Sequence, residues 1–263
     1  MVEFNPFALK RKTILVVGAS SGIGREIAIE CSKMGGKIVV CARSEENLKS
    51  VLDEMDGNGN TYITADITNQ EDLTKLVSDM PVIDGLVISA GIGGTLALQF
   101  ATREKFDRIF NLNFFAAVEL TRLIYKKKKI NKGGSIVYIS SIAGNNRITP
   151  GNVIYGCAKA ALSTYMRYAA IEFAGRKVRV NTINPGMTNT NLINSSGALS
   201  DEDYQKDMET YPLKRYGEVQ DIAPAAIYLL SDASSWVTGC QFVIDGGAVS
   251  YTHLRAHETS AHL

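Results

Sequence analysis

Short apolar runs alternate with longer amphipathic segments along the first third of the chain. The apolar runs are rich in β-branched residues and predict strands at Thr13–Val17, Lys37–Cys41, Tyr62–Ala65 and Asp84–Ile88. The segments between them have helical periodicity and span Arg25–Met34, Ser44–Met55 and Asn69–Met80. Strands that are separated by helices pair in parallel and bury both faces, so the pattern predicts a single α/β domain.

The alternation continues in the rest of the chain with longer helices. Helices are predicted over Thr102–Asn111, Asn113–Lys129, Tyr155–Ala174 and Glu218–Leu230, and strands over Gly134–Ser140, Lys177–Ile183 and Cys240–Ile244. Residues 187–216 break into polar turns around a short predicted helix, Ser200–Thr210. A long irregular segment in a compact domain is typical of a substrate lid, which we therefore expect at 187–216.

The last thirteen residues do not fit this pattern. Residues 251–263 have no apolar periodicity and contain His253, His257 and His262, the three histidines of the chain. We attribute the i, i+4 spacing of the first two histidines to chance and predict no metal site. Residues 251–263 are expected to be a non-native tail, which leaves 1–250 as the folded domain.

Composition narrows the range of functions. The formal net charge is +1 and the lysines are scattered, which argues against a nucleic-acid partner. No apolar run reaches the roughly 18 residues that a membrane span needs, and the N-terminus lacks a signal-peptide pattern. The four cysteines form no Cys-x-x-Cys pair, which indicates reduced thiols and a cytoplasmic protein.

A glycine cluster lies between the first predicted strand and the first predicted helix. Gly18 permits a tight turn, Gly22 lets the backbone approach a phosphate, and Gly24 lets helix and strand pack closely. A pyrophosphate would then meet the positive end of the helix. A glycine-rich turn without a ligand is the alternative, but the strand–turn–helix–strand context favours a dinucleotide site.

The residue that reads the adenosine ribose is expected at the end of the second strand, about 20 residues further on. Arg43 occupies that place, and no acidic residue ends the strand. An Asp or Glu would bind the 2′-hydroxyl of NAD, whereas an Arg suits the 2′-phosphate of NADP. We therefore predict NADP(H) rather than NAD(H). The alternative is that Arg43 is a surface cation beside Glu45 and Glu46.

Ser141, Tyr155 and Lys159 form the candidate catalytic group. Tyr155 and Lys159 have i, i+4 spacing at the start of a predicted helix and share a face, while Ser141 follows the fifth predicted strand. A nearby cation favours the phenolate, and a serine hydroxyl can hydrogen-bond a carbonyl oxygen. Together they would transfer a proton to or from an alcohol or carbonyl. A second Tyr-x-x-x-Lys pair, Tyr125 and Lys129, lies in a lysine run without a matching serine and is interpreted as a solvated helix end.

Taken in order, these motifs resemble those of the short-chain dehydrogenase/reductase family over residues 12 to 249. The resemblance rests on Gly18-Ala-Ser-Ser-Gly22-Ile-Gly24, Asp66, Ser89-Ala-Gly91, Asn113, Ser141, Tyr155-x-x-x-Lys159, Pro185-Gly186 and Asp245-Gly246-Gly247. It implies a Rossmann-like, doubly wound domain with a seven-stranded parallel sheet and helices on both faces, assembled as a homodimer or homotetramer. It also implies hydride transfer between NADP(H) and a carbonyl or secondary alcohol, as in 3-oxoacyl-(acyl-carrier-protein) reductases and hydroxysteroid dehydrogenases.

The resemblance also implies roles for single residues. Tyr155 would be the general acid/base, and Ser141 would position the substrate oxygen. Lys159 would hold the nicotinamide ribose and lower the pKa of Tyr155, and Asn113 would hold a water of the proton relay. The expected cofactor-binding residues are Gly18, Ser20, Ser21, Gly22, Ile23, Gly24, Arg43, Asp66, Ile67, Ala90, Gly91, Tyr155, Lys159, Pro185, Gly186 and Thr188.

Two features depart from the family pattern. Ser89 stands where the family has Asn, and we expect the change to affect mainly the bracing of the sheet. The gap from Ser141 to Tyr155 is one residue longer than the commonest spacing, and the loop Asn145–Asn152 is expected to absorb it. Ser140 is further still from Tyr155 and is the weaker candidate for the catalytic serine.

The sequence leaves two other functions open and does not identify the substrate. A dinucleotide-binding sensor or scaffold without turnover is one alternative, and a lyase or isomerase of the same fold is the other. The segments expected to contact the substrate are Gly93–Phe100, Asn145–Ile154 and Met187–Tyr216. They contain no cluster of cations, so a highly charged substrate is not expected. An apolar wall of the substrate site is expected from Leu96, Leu98, Phe100, Ile148, Leu192 and Ile193.

Overall fold

The computed structural model describes residues 5–190 and 201–250. The strands of these residues are β1 (Thr13–Val17), β2 (Lys37–Ala42), β3 (Thr61–Thr64), β4 (Ile83–Ile88), β5 (Ile130–Ile139), β6 (Arg179–Pro185) and β7 (Gln241–Ile244). Their α-helices are α1 (Gly22–Lys33), α2 (Glu45–Asp53), α3 (Gln70–Asp79), α4 (Arg103–Phe110), α5 (Ala117–Lys126), α6 (Val153–Glu172), α7 (Asp201–Glu209) and α8 (Val219–Leu230).

The seven strands form one sheet in the order β3-β2-β1-β4-β5-β6-β7, and every neighbouring pair is parallel. The chain first moves outward from β1 to β3, then crosses back to β4 and continues to β7. The reversal between β1 and β4 opens a crevice at the carboxyl ends of the strands, where such folds bind ligands. The predicted doubly wound, seven-stranded parallel sheet is confirmed.

Both faces of the sheet are buried under helices. Successive residues of β1 alternate between two apolar clusters, with Ile14 in one and Leu15 in the other. One cluster is completed by buried residues of α1 and α8, and the other by buried residues of α3, α5 and α6. A strand covered on both sides has to be apolar throughout, which explains the continuous hydrophobic runs in the sequence.

The helical region around residue 112 differs from the prediction. The sequence predicts a break between Asn111 and Asn113, but α4 and α5 are joined by a π-helical turn, Asn111–Ala116. The segment has no Gly or Pro to end a helix, and its wider turn accommodates adjacent phenylalanines that pack on each other, with ring centroids 5.2 Å apart for Phe114 and Phe115. π-Turns occur frequently at functional sites, and this one contains Asn113.

The fifth strand also starts earlier than predicted. β5 begins at Ile130, so Gly133 and Gly134 lie inside the strand and do not precede it. The pairing with β4 shifts register across this glycine pair, and Gly133 has a φ of 84°, so the irregularity is a bulge.

Some expectations fall on residues that the structure does not describe. Residues 191–200 of the expected lid and the expected tail, 251–263, lie outside the described residues. Among the described residues, no helix has the length and apolar composition that would be needed to cross a membrane.

Candidate active site

The turn between β1 and α1 is held against the end of β4. Gly18 has a φ of 81°, and a Cβ there would lie 2.4 Å from the backbone nitrogen of Ala90. A Cβ on Gly24 would lie 2.3 Å from the carbonyl oxygen of Gly18. These positions therefore require glycine. The side chain of Ser21, which precedes α1, makes no capping hydrogen bond, so it leaves the first-turn N–H groups of α1 open to an anion.

The turn forms one end of a cavity of about 830 Å³ that follows the carboxyl ends of the strands. Of the predicted site residues, Gly24 and Asn113 lie behind the lining of this cavity. The described residues contain no cluster of three His, Cys, Asp or Glu side chains placed to hold a metal ion. The predicted site residues that line the cavity are Gly18, Ser20, Ser21, Gly22, Ile23, Arg43, Asp66, Ile67, Ala90, Gly91, Ser141, Tyr155, Lys159, Pro185, Gly186 and Thr188.

Tyr155 and Lys159 lie in the first two turns of α6 and face this cavity. Lys159 is buried, its Nζ donates to the carbonyl oxygen of Ile139 at 2.8 Å, and it lies 5.7 Å from the centre of the Tyr155 ring. Burial lowers the pKa of Lys159 to about 8, because the charged form is poorly solvated there.

The pKa of Tyr155 moves in the direction opposite to the expectation. Desolvation by burial raises it, and the hydrogen bond with Ser141 offsets this only in part. The expected lowering by Lys159 is therefore not seen. The lysine ammonium points to the Ile139 carbonyl and lies beside the phenol ring, so its main partner is the strand. At neutral pH the Tyr155 hydroxyl keeps its proton.

The two serines at the end of β5 have different environments. Ser140 is buried, and its hydroxyl donates to the carbonyl oxygen of Lys159 at 3.0 Å and lies 2.9 Å from the hydroxyl of Ser163. Ser141 lines the cavity, and its hydroxyl accepts from the backbone N–H of Ala143 at 3.0 Å. The structure therefore brings Ser141 to Tyr155 and directs Ser140 into the interior.

Asn113 is buried under the loop that follows β4. Its side-chain oxygen accepts from the N–H of Ile92 at 2.9 Å, and its amide nitrogen donates to the Ile92 carbonyl at 2.8 Å. A Cβ on Gly91 would lie 3.3 Å from the Asn113 oxygen and 3.4 Å from Lys159 Nζ. The asparagine amide therefore braces this loop, and a relay water would have to use its backbone or the remaining lone pair of the side-chain oxygen.

Arg43 lies at the far end of the cavity, where β2 ends. It is exposed and makes no ion pair with any carboxylate in residues 5–190 and 201–250. The nearest acidic residue in sequence, Glu45, is engaged elsewhere by Lys49 at 2.7 Å and by the hydroxyl of Tyr62 at 2.9 Å. The rim of the cavity here carries a cation that forms no ion pair with the described residues, although its charge also acts on Asp66.

Asp66 lies across the cavity rim from Arg43 at the end of β3. Its carboxylate accepts from the hydroxyl of Thr68 at 2.7 Å and from the Thr68 N–H at 2.9 Å. The Thr68 hydroxyl is the main cause that lowers the pKa of Asp66, and the charge of Arg43 contributes in the same direction. Asp66 is therefore ionised at neutral pH and fixed in orientation.

The residues that line the substrate end of the cavity differ from the apolar wall that the sequence predicts. Leu98, Phe100 and Ile148 are exposed and do not line the cavity, so the expected apolar wall is wrong for them. Leu96 packs instead in an apolar cluster with Ile109. Leu192 and Ile193 lie outside the described residues. The cavity is lined in this region by Ile142, Arg147, Met187, Tyr204, Asp207 and Tyr211.

Comparison with known proteins agrees with the fold and the cavity. The family model described as enoyl-(acyl carrier protein) reductase matches residues 18–249. L-xylulose reductase of Caenorhabditis elegans is 36% identical over 90% of this chain and 95% of that protein. The 3-oxoacyl-(acyl-carrier-protein) reductase FabG of Rickettsia felis is 34% identical over 91% of this chain and 97% of that protein. The chain therefore belongs to the short-chain dehydrogenase/reductase family of oxidoreductases, which use nicotinamide dinucleotides.

A solved structure of the same family has the same architecture. The 7α-hydroxysteroid dehydrogenase complexed with NADH and 7-oxoglycochenodeoxycholic acid superimposes with a TM-score of 0.86. It is 33% identical, and the match covers 94% of this chain and 98% of that protein. The named relatives act on different substrate classes, so family membership does not identify a substrate.

Proposed function

We propose that this protein is an NADP(H)-dependent oxidoreductase that interconverts a carbonyl and a secondary alcohol. One observation carries the proposal: Ser141, Tyr155 and Lys159 face a single cavity whose other end is the glycine turn before α1. The close packing at Gly18 and Gly24 leaves no room for a Cβ, and the turn they form lines the cavity at the uncapped start of α1, so the residues present fit the pyrophosphate of the cofactor. When bound, the nicotinamide supplies the hydride chemistry.

The protein itself would supply the proton that the carbonyl oxygen needs. Burial raises the pKa of Tyr155, so its hydroxyl is protonated at neutral pH and suited to donate a proton to a carbonyl oxygen. The Ser141 hydroxyl, held by Ala143, would hydrogen-bond the same oxygen and fix its position. Oxidation of an alcohol needs the phenolate instead, so this direction should be favoured at higher pH.

Lys159 has a positioning role in this proposal. An ammonium has three donors, and one is used by the Ile139 carbonyl. Two N–H groups remain beside the cavity, where they would hold the hydroxyls of the nicotinamide ribose. A lysine with a pKa of about 8 is still largely protonated at neutral pH and can do so.

Arg43 supports NADP(H) as the preferred cofactor. Its guanidinium forms no ion pair with the described residues, and Glu45, the nearest acidic residue along the chain, is held by Lys49 and Tyr62. A planar guanidinium binds a phosphate through two hydrogen bonds. The 7α-hydroxysteroid dehydrogenase structure contains NADH, so family membership alone does not choose between the cofactors.

The proposal extends to a homo-oligomer and to a lid. Trp236, before β7, is 98% exposed, and Tyr168 and Ile171 form an exposed apolar pair on one face of α6. These exposed apolar side chains support assembly as a homodimer or homotetramer. Tyr204 and Asp207 of α7 line the cavity, which supports 187–216 as the lid of a domain that covers residues 1–250.

The test is a cofactor and substrate panel with the purified protein. Oxidation of NADPH and NADH is followed by absorbance with simple ketones, aldehydes, hydroxy ketones and oxo acids. The proposal predicts carbonyl-dependent oxidation of NADPH that exceeds that of NADH. Tight NADPH binding by calorimetry without turnover of any carbonyl would favour a sensor or scaffold instead.

A further inference from the structure

The substrate end of the cavity contains one cation on a rigid turn. Arg147 follows Ser141 by six residues, and its backbone N–H donates to the Ile142 carbonyl at 2.9 Å. Its own carbonyl oxygen accepts from the N–H of Gly144 at 3.0 Å. The turn therefore fixes the Arg147 backbone relative to Ser141, and both side chains line the same cavity.

The polar atoms around Arg147 are incompletely paired. Its Nη2 is 3.9 Å from an oxygen of Asp207, too far for a hydrogen bond, and the guanidinium also has a weak contact with the Tyr211 hydroxyl. The other oxygen of Asp207 accepts from the Tyr216 hydroxyl at 2.8 Å. One carboxylate oxygen and the five guanidinium N–H donors thus remain available.

Tyr211 provides a second indication of a ligand. It is 1% exposed and lines the cavity, and its hydroxyl has only weak contacts, with the Arg147 side chain and the Met187 backbone, that do not reach ordinary hydrogen-bond geometry. Its ring lies 5.9 Å from the Arg147 guanidinium carbon. Buried hydroxyls almost always have a partner, because an unpaired one is costly, so a ligand group is the natural occupant of this position.

The walls of this region are aromatic and apolar. Tyr211 and Tyr216 pack edge to face with ring centroids 5.4 Å apart, and Ile142 belongs to the same buried cluster. Met187 and Tyr204 pack against that cluster. The pocket therefore presents a hydrogen-bond donor (the Arg147 guanidinium), an acceptor (the Asp207 carboxylate) and the Tyr211 hydroxyl on an otherwise apolar surface.

We propose that Arg147, Asp207 and Tyr211 form a subsite for hydroxyl groups and that the substrate is a polyhydroxylated ketone or aldehyde. This inference rests on the proposed function. Hydroxyls on neighbouring carbons both donate and accept, so one can accept from Arg147 while the next donates to Asp207. In the reduction, Tyr155 would give its proton to the carbonyl oxygen and regain one from solvent, while bound NADPH would supply the hydride to the carbonyl carbon and become NADP⁺.

Two other substrate classes fit the subsite less well. A carboxylate would pair with Arg147 but would bring a second negative charge next to Asp207, whose charge already faces the guanidinium. A wholly apolar ketone would exclude water from the partly exposed Arg147 and Asp207 side chains and would make no hydrogen bond with them or with the Tyr211 hydroxyl. Neighbouring neutral hydroxyls satisfy the donor and the acceptor together.

Three four-carbon ketones separate these classes: erythrulose, butanone and acetoacetate. With NADPH, kcat/KM should be about 10-fold to 100-fold higher for erythrulose than for butanone. Arg147→Gln and Asp207→Asn should each reduce this ratio about 10-fold, mainly through KM, and Arg147→Lys should restore part of it. Lys206→Gln breaks an exposed ion pair on the same helix and should leave the ratio unchanged.

The outcomes distinguish this inference from the proposed function. Equal kcat/KM for erythrulose and butanone would overturn the hydroxyl subsite while leaving the oxidoreductase intact. Preference for acetoacetate, increased further by Asp207→Asn, would also overturn it and indicate an anion subsite. If no ketone is reduced, the proposed function fails. Erythrulose binding to the NADP⁺ complex, followed by NMR, would then support the subsite if Arg147→Gln abolishes it and overturn the subsite if none is seen.

Discussion

The ammonium of Lys159 donates to the carbonyl oxygen of Ile139, the last residue of β5, over 2.8 Å. This bond ties the start of α6 to the carboxyl edge of the sheet. It fixes Tyr155, one turn earlier on the helix, against the cavity that receives the glycine turn. The same bond keeps a lysine in the interior, where its charge is poorly solvated, so the arrangement costs stability in order to position the site.

Tyr155→Phe should remove turnover while leaving cofactor binding intact. We expect kcat for NADPH-dependent carbonyl reduction to fall by about 10²-fold to 10⁴-fold, because the general acid is lost. The Kd of NADPH should change little. Steady-state kinetics and calorimetry measure the two quantities on the same protein.

The second Tyr-x-x-x-Lys pair offers a matched control. Tyr125 stacks on Phe173 with ring centroids 3.8 Å apart, and Arg176 lies 5.3 Å from its ring centre. Tyr125→Phe keeps that stacking and should leave kcat unchanged. A wild-type rate in Tyr155→Phe, or an equal loss in Tyr125→Phe, would show that the motif has been assigned to the wrong copy or the wrong role.

Arg43→Ala should weaken the binding of NADPH but not that of NADH. Loss of a bidentate contact to the 2′-phosphate should raise the Kd of NADPH about 10-fold to 100-fold and leave that of NADH nearly constant. Arg103→Ala removes another exposed arginine, one that pairs with Asp107, and serves as the control. If Arg43→Ala weakened both cofactors equally, Arg43 would not be the 2′-phosphate reader.

Lys159→Met should change how stability depends on pH. The pKa of Lys159 is about 8 when folded, against 10.5 ordinarily. Between these pH values the unfolded chain holds a proton that the folded chain has released, so the wild-type free energy of unfolding rises with pH. Below about pH 8 the lysine costs the wild type up to about 3 kcal/mol.

Urea unfolding of wild type and Lys159→Met from pH 7 to pH 10 measures this effect. The unfolding free energy of the variant minus that of the wild type should be larger at pH 7 than at pH 10, because methionine carries no charge that burial penalises. Other titrating groups are common to both proteins and cancel in this difference. The unpaired Ile139 carbonyl adds a cost of about 1 kcal/mol that does not vary with pH. A difference that stays constant from pH 7 to pH 10 would refute the assigned pKa.

Gly24→Ala should destabilise the fold, whereas Gly175→Ala should not. The added Cβ at Gly24 would lie 2.3 Å from the Gly18 carbonyl oxygen, which forces the turn away from α1. We expect a loss of about 1–3 kcal/mol in unfolding free energy and weaker NADPH binding. At Gly175 no heavy atom lies within 4 Å of the added Cβ, so equal effects in the two variants would contradict the packing described for the turn.

Trp236→Asp should reduce the oligomeric state if the surface before β7 joins two copies. Trp236 is 98% exposed in the chain alone, and a charge at the centre of an apolar interface disfavours association. Leu98→Asp, at a position that is 72% exposed, is the control. Light scattering on both variants tests the proposal, and an unchanged mass for Trp236→Asp would exclude this interface.

The order of strands and helices could be predicted because both faces of the sheet are buried. Strands such as Lys37–Ala42 are then continuous apolar runs, and each is followed by a stop signal and a helical period. The π-turn that contains Asn113 could not be predicted. Its segment has helical composition, and the wider turn depends on how the phenylalanines pack in three dimensions.

The two ends of the site differ in how far the sequence defines them. The cofactor end is built by glycines and strand ends, whose positions follow from chain order, and the glycine spacing and Arg43 therefore identified the cavity rim. The substrate end is assembled from segments that are distant in sequence. Arg147 comes from one loop and Tyr211 from another, and no local pattern marks either of them. The direction of the Tyr155 pKa also depends on burial, which the sequence does not contain.

Isotope transfer tests the central claim most directly. The protein is incubated with a ketone and with NADPH that carries deuterium on the transferring side of the nicotinamide, and the alcohol product is examined by mass spectrometry. Hydride transfer at this site predicts one deuterium on the carbinol carbon with wild type and almost no product with Tyr155→Phe. A product that carries no deuterium with either stereoisomer of labelled NADPH, or equal product from both proteins, would contradict the account.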